Sequence, residues 1–441
     1  MNRRLFLRNT GITGLGLGAL VAIPMEVLAG VRQWVSPNDR IGVGLIGCNG
    51  MGWVNLTSML KMSEMQCVAL CDVDDSVLES RMAELAKINL KPTIHKDYRK
   101  LLAQKDVDVV IVATPDHWHC LIMVDACAAG KQVYLEKPAS NSVAEAEWMV
   151  KAANKYGSVV QVNQWQRSQQ HFKAAVAYVQ SGKLGGISQT KAWMYSVHGM
   201  LAPKPNAAVP AGVDYAQWLG PAQRREYNRN RFHYSFRWYW DYAGGLMTDW
   251  GVHLIDIVLW GMKAGDPKSV AGMGGHFAYP TDDRETPDTQ TALYNYDGFQ
   301  MTWEHSMGRR NGLYGQDHGV SFIGELGTLV VNRGGWEVRP EMDDKKPKLE
   351  AVAWQPQTDN GLDLHTQNFV AAVKAKNPAL LNCSIDVGAT VAKHCHLGNV
   401  ALRSGETLLV DSTGAQLKVA NKTANTLLKP IYHNGWKHPN V

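Results

Sequence analysis

The chain has 441 residues, 45% of them hydrophobic, which is enough to bury two substantial cores, so we expect two domains. Its formal net charge of +5 is too small to indicate nucleic-acid binding, and no basic stripe with interleaved aromatic rings occurs in the sequence. Seven cysteines without paired spacing, and without a Cys/His cluster of metal-ligand spacing, predict neither a disulfide framework nor a metal site.

The first 29 residues have the pattern of an export signal. Arg3 and Arg4 form a twin-arginine pattern, followed by a mildly apolar, glycine-rich run over 10–23 and a small-residue site that ends at Ala29. The run is too short and too rich in glycine to predict a stable membrane insertion. We expect cleavage after Ala29 and twin-arginine export of a folded protein to a bacterial periplasm, with a chance arginine pair as the alternative.

Residues 41–52 predict a buried strand that runs directly into a glycine-rich turn. Glycines at such a turn leave backbone N–H groups bare, so that a pyrophosphate can lie against them at a helix N-terminus. The pattern departs from G-x-G-x-x-G because Asn49 replaces the second glycine, although Asn tolerates left-handed backbone geometry. Taken alone, the stretch fits an ordinary tight turn equally well. The candidate cofactor contacts are Gly47, Asn49, Gly50, Met51 and Gly52.

A second apolar run over 67–71 ends in Asp72, which follows Gly47 by 25 residues. Dinucleotide-binding folds place an acid near this spacing on the adenosine ribose hydroxyls. Because a carboxylate would repel a 2′-phosphate, Asp72 favours NAD, while NADP stays possible. The alternative is that Asp72 only caps the next helix.

The alternation of strands and helices continues to residue 135. A buried strand over 107–114 is ended by Pro115, and a helix over 120–129 separates it from a strand over 132–135. Residues after such strands face the ligand crevice. The candidate cofactor contacts are Thr114, Pro115, His117, Trp118 and His119 after the first strand, and Glu136 and Lys137 after the second.

Four segments together resemble the Gfo/Idh/MocA oxidoreductases: the glycine turn, ATPDHWH at 113–119, YLEKP at 134–138 and GGLMTDWGVHLID at 244–256. The resemblance extends from residue 41 to about 410. It implies an N-terminal Rossmann dinucleotide-binding domain and a C-terminal α/β domain with an open, predominantly antiparallel sheet. It also implies that Lys137 lies beside the substrate hydroxyl and the nicotinamide, and that Asp249 and His253 match the family's second motif.

The chemistry of hydride transfer suggests the same three residues independently. Oxidation of a secondary alcohol needs a group that takes the hydroxyl proton, and His253 follows Asp249 by four residues on one face of a helix expected over 249–260. We predict His253 as general base, Asp249 as its orienting partner or a substrate contact, and Lys137 as the cation that stabilises a developing alkoxide. The alternative is a packed structural histidine and an aspartate near a helix N-cap.

We place the Rossmann domain at 39–157 and the second domain at 158–441, with a strand over 158–164 leading into it. The resemblance implies that Gln164, Trp165 and Arg167 line the substrate side of the cofactor cleft, the first two also as cofactor contacts. Residues 432–441 suggest an extended arm that packs on a neighbour. The other expected elements are a helix over 170–182 and strands over 187–196, 289–296, 299–304, 320–324 and 328–332.

The insertion over 199–242 is expected to select the substrate. It is rich in loops and then in aromatic and arginine residues, which fits a platform for pyranose rings with polar side chains that read hydroxyls. An aromatic cluster that anchors a long loop explains the same pattern. The candidate substrate contacts here are Arg237, Trp238, Tyr239 and Asp241; Asp317, His318 and His365 are weaker ones.

These features predict an NAD(P)-dependent oxidoreductase with a tightly bound cofactor. We expect it to oxidise a ring hydroxyl of a sugar or glycoside, with C3 the preferred position, and to recycle the cofactor between sugar substrates. One alternative is a redox-neutral glycoside hydrolase that acts through a 3-keto intermediate, and another is an exported sugar-binding protein without turnover. The expected partners are a small-molecule sugar and further copies of the chain, as a dimer or tetramer.

Overall fold

The computed structural model of the protein describes residues 40–410 and 422–441. The predicted export signal at 1–29 lies outside the described residues. Within the described ranges, no helix is long and apolar enough to cross a membrane. All seven cysteines fall in these ranges, and each is a buried free thiol that packs as a small apolar residue.

The first domain is built on a six-stranded sheet in the order β3-β2-β1-β4-β5-β6, with all neighbouring strands parallel. Helices cover both faces of such a sheet, which explains why the central strand β4 consists of four buried aliphatic residues. This doubly wound order confirms the predicted Rossmann fold. The strands are β1 (Ile41–Ile46), β2 (Met65–Cys71), β3 (Thr93–His95), β4 (Val109–Val112), β5 (Gln132–Leu135) and β6 (Val160–Val162).

Two boundaries in this domain differ from the predicted ones. The helix expected over 120–129 begins at Asp116, because Pro115 fixes the backbone just before the first turn and Asp116 adds an acidic group at the helix N-terminus. The strand expected to lead into the second domain is instead β6, the last strand of the Rossmann sheet, since it pairs with β5. The helices are α1 (Gly50–Met59), α2 (Asp75–Ala86), α3 (Tyr98–Leu102), α4 (Asp116–Ala128) and α5 (Val143–Tyr156).

The second domain contains an open nine-stranded sheet in the order β16-β13-β12-β11-β7-β10-β9-β8-β17. Only β7 and β10 are parallel among its paired strands in the described residues, which confirms the predominantly antiparallel sheet. One face is packed against helices, whereas Met273 and Leu293 on the other are 82% and 41% exposed. The homo-oligomer stays a prediction. The strands are β7 (Ile187–Ser196), β8 (Ser269–Gly275), β9 (Thr289–Asn295), β10 (Gln300–Met307), β11 (His318–Gly324), β12 (Gly327–Asn332), β13 (Gly335–Pro340), the separate hairpin of β14 (Met342–Asp343) and β15 (Lys346–Pro347), β16 (Val352–Pro356) and β17 (Leu408–Leu409).

The helices of the second domain connect the two cores. Residues that follow the sheet return to the first domain, where Phe369 packs in one Rossmann core cluster and Ile385 in the other. The helix expected over 249–260 is divided into two helices at Trp250, whose backbone stays in the right-handed helical region (φ −104°, ψ −33°). These helices are α6 (Gln170–Gln180), α7 (Tyr215–Leu219), α8 (Gly245–Asp249), α9 (Gly251–Met262), α10 (Gly361–Ala375), α11 (Ile385–Ser404) and α12 (Lys422–Leu427).

The C-terminal arm packs on the Rossmann domain of its own chain rather than extending away from it. The Trp436 ring meets the Trp118 ring edge-on at 4.9 Å, and the Tyr432 hydroxyl donates a 2.6 Å hydrogen bond to the buried carboxylate of Glu145. Apolar rings and a buried carboxylate on α4 and α5 thus give the arm partners within the same chain. Packing of the arm on a neighbouring copy stays a prediction.

The Glu145 carboxyl predicts a pH-dependent stability. Burial raises the pKa of Glu145 to about 7 in the folded protein, whereas an unfolded glutamate titrates near about 4.3. A raised folded pKa stabilises the protein fully below the unfolded pKa, and this contribution is lost as the pH rises through about 7. Glu145→Gln should remove roughly 3 kcal/mol of pH-dependent stability between pH ~4 and ~7.5. The measurement is thermal unfolding against pH, with Glu147→Gln on the same helix as control; parallel profiles for wild type and Glu145→Gln would contradict it.

Candidate functional site

Four parallel strands end at the edge of a cavity of about 460 Å³. The glycine turn follows β1, Asp72 follows β2, and the motifs after β4 and β5 complete the edge, because carboxyl ends of parallel strands lie on one side of a sheet. The predicted site residues that line the cavity are Gly47, Asn49, Gly50, Met51, Asp72, Thr114, Pro115, Trp118, Glu136, Lys137, Arg237 and Asp249.

The glycine turn leaves room for a ligand against bare backbone. Gly47 has φ +86°, and a Cβ there would lie 2.5 Å from the Ala113 carbonyl oxygen; a Cβ on Gly52 would collide with the Gly47 carbonyl oxygen. Asn49 is extended rather than left-handed, because its side chain accepts a 2.9 Å hydrogen bond from the Gly50 N–H as the cap of α1. A dinucleotide pyrophosphate fits this turn, at the start of a ten-residue helix.

Asp72 is hydrogen-bonded to the backbone of the glycine turn and lines the cavity. Its carboxylate accepts a 2.7 Å hydrogen bond from the Cys48 N–H and a 3.1 Å bond from the Asp74 N–H. Burial raises the pKa of Asp72, although both backbone hydrogen bonds oppose that shift. The position fits an acceptor for ribose hydroxyls, and the helix-capping role belongs instead to Asp74, whose side chain accepts from the Ser76 N–H.

Lys137 and Asp249 form an ion pair at the other end of the cavity, between the two domains. The Lys137 Nζ lies 2.6 Å from the Asp249 Oδ1 and 2.8 Å from the Asp249 carbonyl oxygen, and the Arg237 Nε lies 3.6 Å from Oδ2. Although burial opposes ionisation, Lys137 and Arg237 hold the pKa of Asp249 well below its usual value. The carboxylate is therefore charged, and it orients the ammonium of Lys137.

His253 is buried beside this pair but is not hydrogen-bonded to it. Asp249 ends α8 and His253 lies in the first turn of α9, and within the described ranges no hydrogen bond joins their side chains as the i,i+4 spacing predicted. The His253 Nδ1 has no hydrogen-bond partner in the described part of the chain. Burial, then the charges of Arg333 and Lys137, lower the pKa of His253 well below its usual value. The imidazole is neutral, with a nitrogen free to accept a proton.

Glu136 holds the segment that carries Lys137. Its Oε1 accepts hydrogen bonds from the side-chain amides of Asn55 (2.7 Å) and Asn163 (2.5 Å), and its Oε2 accepts from the Lys137 N–H at 3.1 Å. Only 6% of Glu136 is exposed, so these bonds satisfy a buried carboxylate. The arrangement makes Glu136 a positioning residue for Lys137.

Several predicted site residues are not among those lining the cavity. Both ring nitrogens of His119 contact backbone carbonyl oxygens, at 2.7 and 2.9 Å, and His117 contacts the Trp218 carbonyl at 3.0 Å. Arg167 forms a buried ion pair with Asp256, whose two carboxylate oxygens lie 2.8 and 2.9 Å from its Nε. The others are Gly52 in the turn, Gln164, which donates to the Val252 carbonyl oxygen, Trp165, Trp238, Tyr239, Asp241 and His253.

The aromatic insertion combines the two roles that its sequence left open. Trp238 is 2% exposed, the Tyr239 hydroxyl donates to Asp283 at 2.7 Å, and Asp241 pairs with Arg225 at 3.0 Å, so these three anchor the loop. Neighbouring side chains reach the cavity instead. The cavity-lining residues of the insertion are Gln217, Trp218, His233, Tyr234, Phe236 and Arg237.

The same insertion is fastened across the cavity to the Rossmann domain. The His233 Nε2 lies 3.0 Å from the Asp74 carboxylate, the Asp214 N–H donates to the Val73 carbonyl oxygen at 2.8 Å, and Lys96 donates to the Gly212 carbonyl oxygen at 3.0 Å. These contacts place residues 212–237 as a roof over the nucleotide end of the cavity.

Asp116 lines the cavity, as its place in the ATPDHWH motif directly after β4 predicts. Burial raises its pKa to about 8 despite the opposing charges of Lys137 and Arg237. The sequence gives no signal for the cavity residues Tyr98 and Trp218, because tertiary packing alone brings them to the cavity. The fit to a dinucleotide is completed by the Thr114 hydroxyl, which is buried at the cavity without a hydrogen-bond partner in the described residues.

Comparison with protein families matches both domains. Residues 41–164 match the Gfo/Idh/MocA oxidoreductase family, NAD-binding Rossmann fold, and residues 179–272 match its C-terminal alpha/beta domain. The uncharacterized oxidoreductase YrbE of Bacillus subtilis is 24% identical over 298 residues, 66% of this chain and 74% of that protein.

Of two further matches, one covers a smaller share of the chain and the other has a lower sequence identity. A glycosyl hydrolase family 109 protein of Shewanella is 28% identical over 171 residues, which is 35% of this chain and only 37% of the relative's length. The crystal structure of the WlbA dehydrogenase from Bordetella pertussis, in complex with NADH and UDP-GlcNAcA, has the same fold with a TM-score of 0.62; it is 19% identical and covers 84% of this chain and 99% of its own.

The position of Asp72 predicts the preference between NAD and NADP. Asp72→Asn removes the charge that opposes a 2′-phosphate and weakens an acceptor for the ribose, so the ratio of the NADP to the NAD dissociation constant should fall about tenfold or more. Calorimetric titration of cofactor-free protein with each dinucleotide measures the ratio. Asp106→Asn, at an exposed position before β4 on the same domain, is the matched control. An unchanged ratio in Asp72→Asn would show that this carboxylate does not contact the adenosine ribose.

Proposed function

Since the chain belongs to the Gfo/Idh/MocA family of NAD-binding oxidoreductases, we propose that it oxidises a ring hydroxyl of a pyranose or pyranoside. We infer C3 as the position and propose that one tightly held cofactor returns the hydride to a second, keto-sugar substrate. The observation that carries the proposal is the Lys137–Asp249 pair at the cavity edge, beside a neutral His253 with an unpartnered nitrogen.

Each residue has a defined task in this reaction. The glycine turn, Asp72 and Thr114 would hold NAD, which supplies the hydride acceptor when bound. Lys137, oriented by Asp249, donates a hydrogen bond to the substrate oxygen and stabilises the negative charge that develops on it. His253, which lies beside this ion pair and not in the cavity lining, takes the hydroxyl proton, because its lowered pKa keeps the imidazole neutral. In the return reaction the same groups deliver the proton to the keto oxygen.

The roof supports cofactor retention and the proposed periplasmic location. Contacts from three parts of the insertion to the Rossmann domain close the nucleotide end of the cavity. We propose that the protein binds its cofactor before export and that the twin-arginine pattern of residues 1–29 directs the folded complex to the periplasm. A retained cofactor suits a compartment that offers little to exchange with.

A second candidate function is redox-neutral glycoside cleavage through a 3-keto intermediate. The similarity of 35% of the chain to glycosyl hydrolase family 109 proteins favours it. Oxidation at C3 acidifies the neighbouring C–H bond, so an aglycone can be eliminated, water added and the ketone reduced again. The same Lys137 and His253 would serve both outcomes.

The test is the ultraviolet spectrum of the purified mature protein with a panel of glucosides, together with product analysis of the same samples. Net oxidation predicts reduced-nicotinamide absorbance that persists until a keto-sugar is added. Accumulation of free aglycone without a lasting spectral change would establish the hydrolase instead. Bound dinucleotide that responds to none of the sugars, with no product, would refute both.

Variants at the ion pair and the imidazole serve as controls in this experiment. Lys137→Met and His253→Gln should retain cofactor but lower the rate of its reduction by about 10²- to 10⁴-fold. The first variant removes the cation that stabilises the alkoxide, and the second removes the group that accepts the hydroxyl proton. Equal rates in wild type and Lys137→Met would place the chemistry elsewhere in the cavity.

The roof contacts predict slow cofactor release. His233→Ala removes the partner of Asp74 and should raise the dissociation rate of NADH about tenfold, because a hydrogen bond between the roof and a carboxylate of the Rossmann domain is lost. Stopped-flow fluorescence after mixing with excess NAD measures this rate. Lys204→Ala, an exposed residue of the same insertion, is the control. A rate unchanged by His233→Ala would mean that the roof does not retain the cofactor.

A further inference from the structure

Arg333 lies in the turn between β12 and β13, next to the predicted general base. Its guanidinium lies over the indole rings of Trp165 and Trp250, at 4.7 and 4.4 Å from their centroids, and its Nε donates a 3.2 Å hydrogen bond to the Gln166 side chain. Both indoles also flank His253, with ring centroids 6.4 and 6.2 Å from the imidazole. Arg333 is therefore held in one place beside the reacting groups.

This guanidinium lacks the carboxylate partner that other arginines have. Arg167 pairs with Asp256, Arg225 with Asp241, and Arg339 with Glu337. In the described ranges no ion pair involves Arg333, and its two terminal nitrogens have no hydrogen-bond acceptor. Stacking covers the face of the guanidinium and leaves its N–H edge for a ligand.

The charged side chains near His253 carry an excess of positive charge. Lys137, Arg237 and Arg333 all act on the one ionised carboxylate of Asp249, which is hydrogen-bonded to Lys137. Asp116 adds little negative charge near neutral pH, since burial raises its pKa to about 8. An anionic group of the substrate would balance this excess and would leave no buried cation unpaired.

We propose that Arg333 binds the carboxylate of an acidic sugar, and that hexuronic acids or their glycosides are the preferred substrates. The planar N–H edge of a guanidinium matches a carboxylate through two parallel hydrogen bonds. Arg333 and His253 lie against the same two indoles, and Lys137 is hydrogen-bonded to Asp249, four residues before His253. One pyranose ring carries both a reacting hydroxyl and an acid group. The claim about turnover rests on the proposed function, but the claim about binding does not.

The experiment compares methyl β-D-glucuronide with methyl β-D-glucoside, which differ only at C6, on the NAD-loaded protein. Calorimetry measures binding, and reduction of the bound cofactor measures turnover. We expect the glucuronide to bind about 10- to 100-fold more tightly than the glucoside in wild type, as for a charged hydrogen-bonded pair. Arg333→Met should bring this ratio close to 1, and Arg333→Lys should keep part of the preference. Arg339→Met should leave the ratio unchanged, because Arg339 is paired with Glu337 on its own strand, β13.

The outcomes separate this proposal from the proposed function. Selective glucuronide binding without cofactor reduction would support the Arg333 assignment and contradict the oxidation. Cofactor reduction by both glycosides with equal affinities, or a ratio that Arg333→Met leaves intact, would overturn the assignment alone. Glucose 6-phosphate is included because a phosphate also pairs with a guanidinium; tighter binding of the phosphate than of the glucuronide would overturn the choice of a carboxylate.

Discussion

The ion pair between Lys137 and Asp249 is the contact on which the rest of the site depends. Lys137 follows β5 of the Rossmann sheet and Asp249 ends α8 of the second domain, so this short hydrogen bond joins the two domains at the proposed reaction site. Taking two charges out of water costs about as much as their attraction returns, so this pair is weak as a source of stability. Its value lies in orientation: an ammonium held at 2.6 Å from a carboxylate presents its remaining hydrogens in fixed directions.

The electrostatics around that pair follow from burial. The low pKa of His253 results first from desolvation and then from the cations Arg333 and Lys137, so the same charges that would stabilise an alkoxide also keep the imidazole ready to accept a proton. Glu136, held by two side-chain amides, keeps the Lys137 backbone in place. A positive pocket around a neutral base is thus one arrangement rather than several independent features.

The cavity is enclosed by the parts of the chain that have the least regular secondary structure. The insertion between β7 and α8 has few long elements, yet buried aromatic residues anchor it to the second domain and polar contacts fasten it to the first. The C-terminal arm adds a second layer, because Trp436 packs behind Trp118 in the cavity wall. Long loops fixed at both ends in this way can exclude water without a separate lid domain.

The sequence by itself determined the Rossmann fold, because strand patterns and motifs at strand ends are local properties. The open antiparallel sheet and the association of Lys137 with Asp249 were implied by the resemblance of its motifs to the Gfo/Idh/MocA family. Only the tertiary structure decided that Arg167 and Trp238 are committed to packing, that the helix breaks at Trp250, and that Arg333 stands beside His253. The two charged contacts depend on residues far apart in the chain, since Arg167 and Asp256 are 89 positions apart and Arg333 follows His253 by 80. Neither the periodicity nor the spacing of a sequence predicts which distant residue will pair with a buried charge.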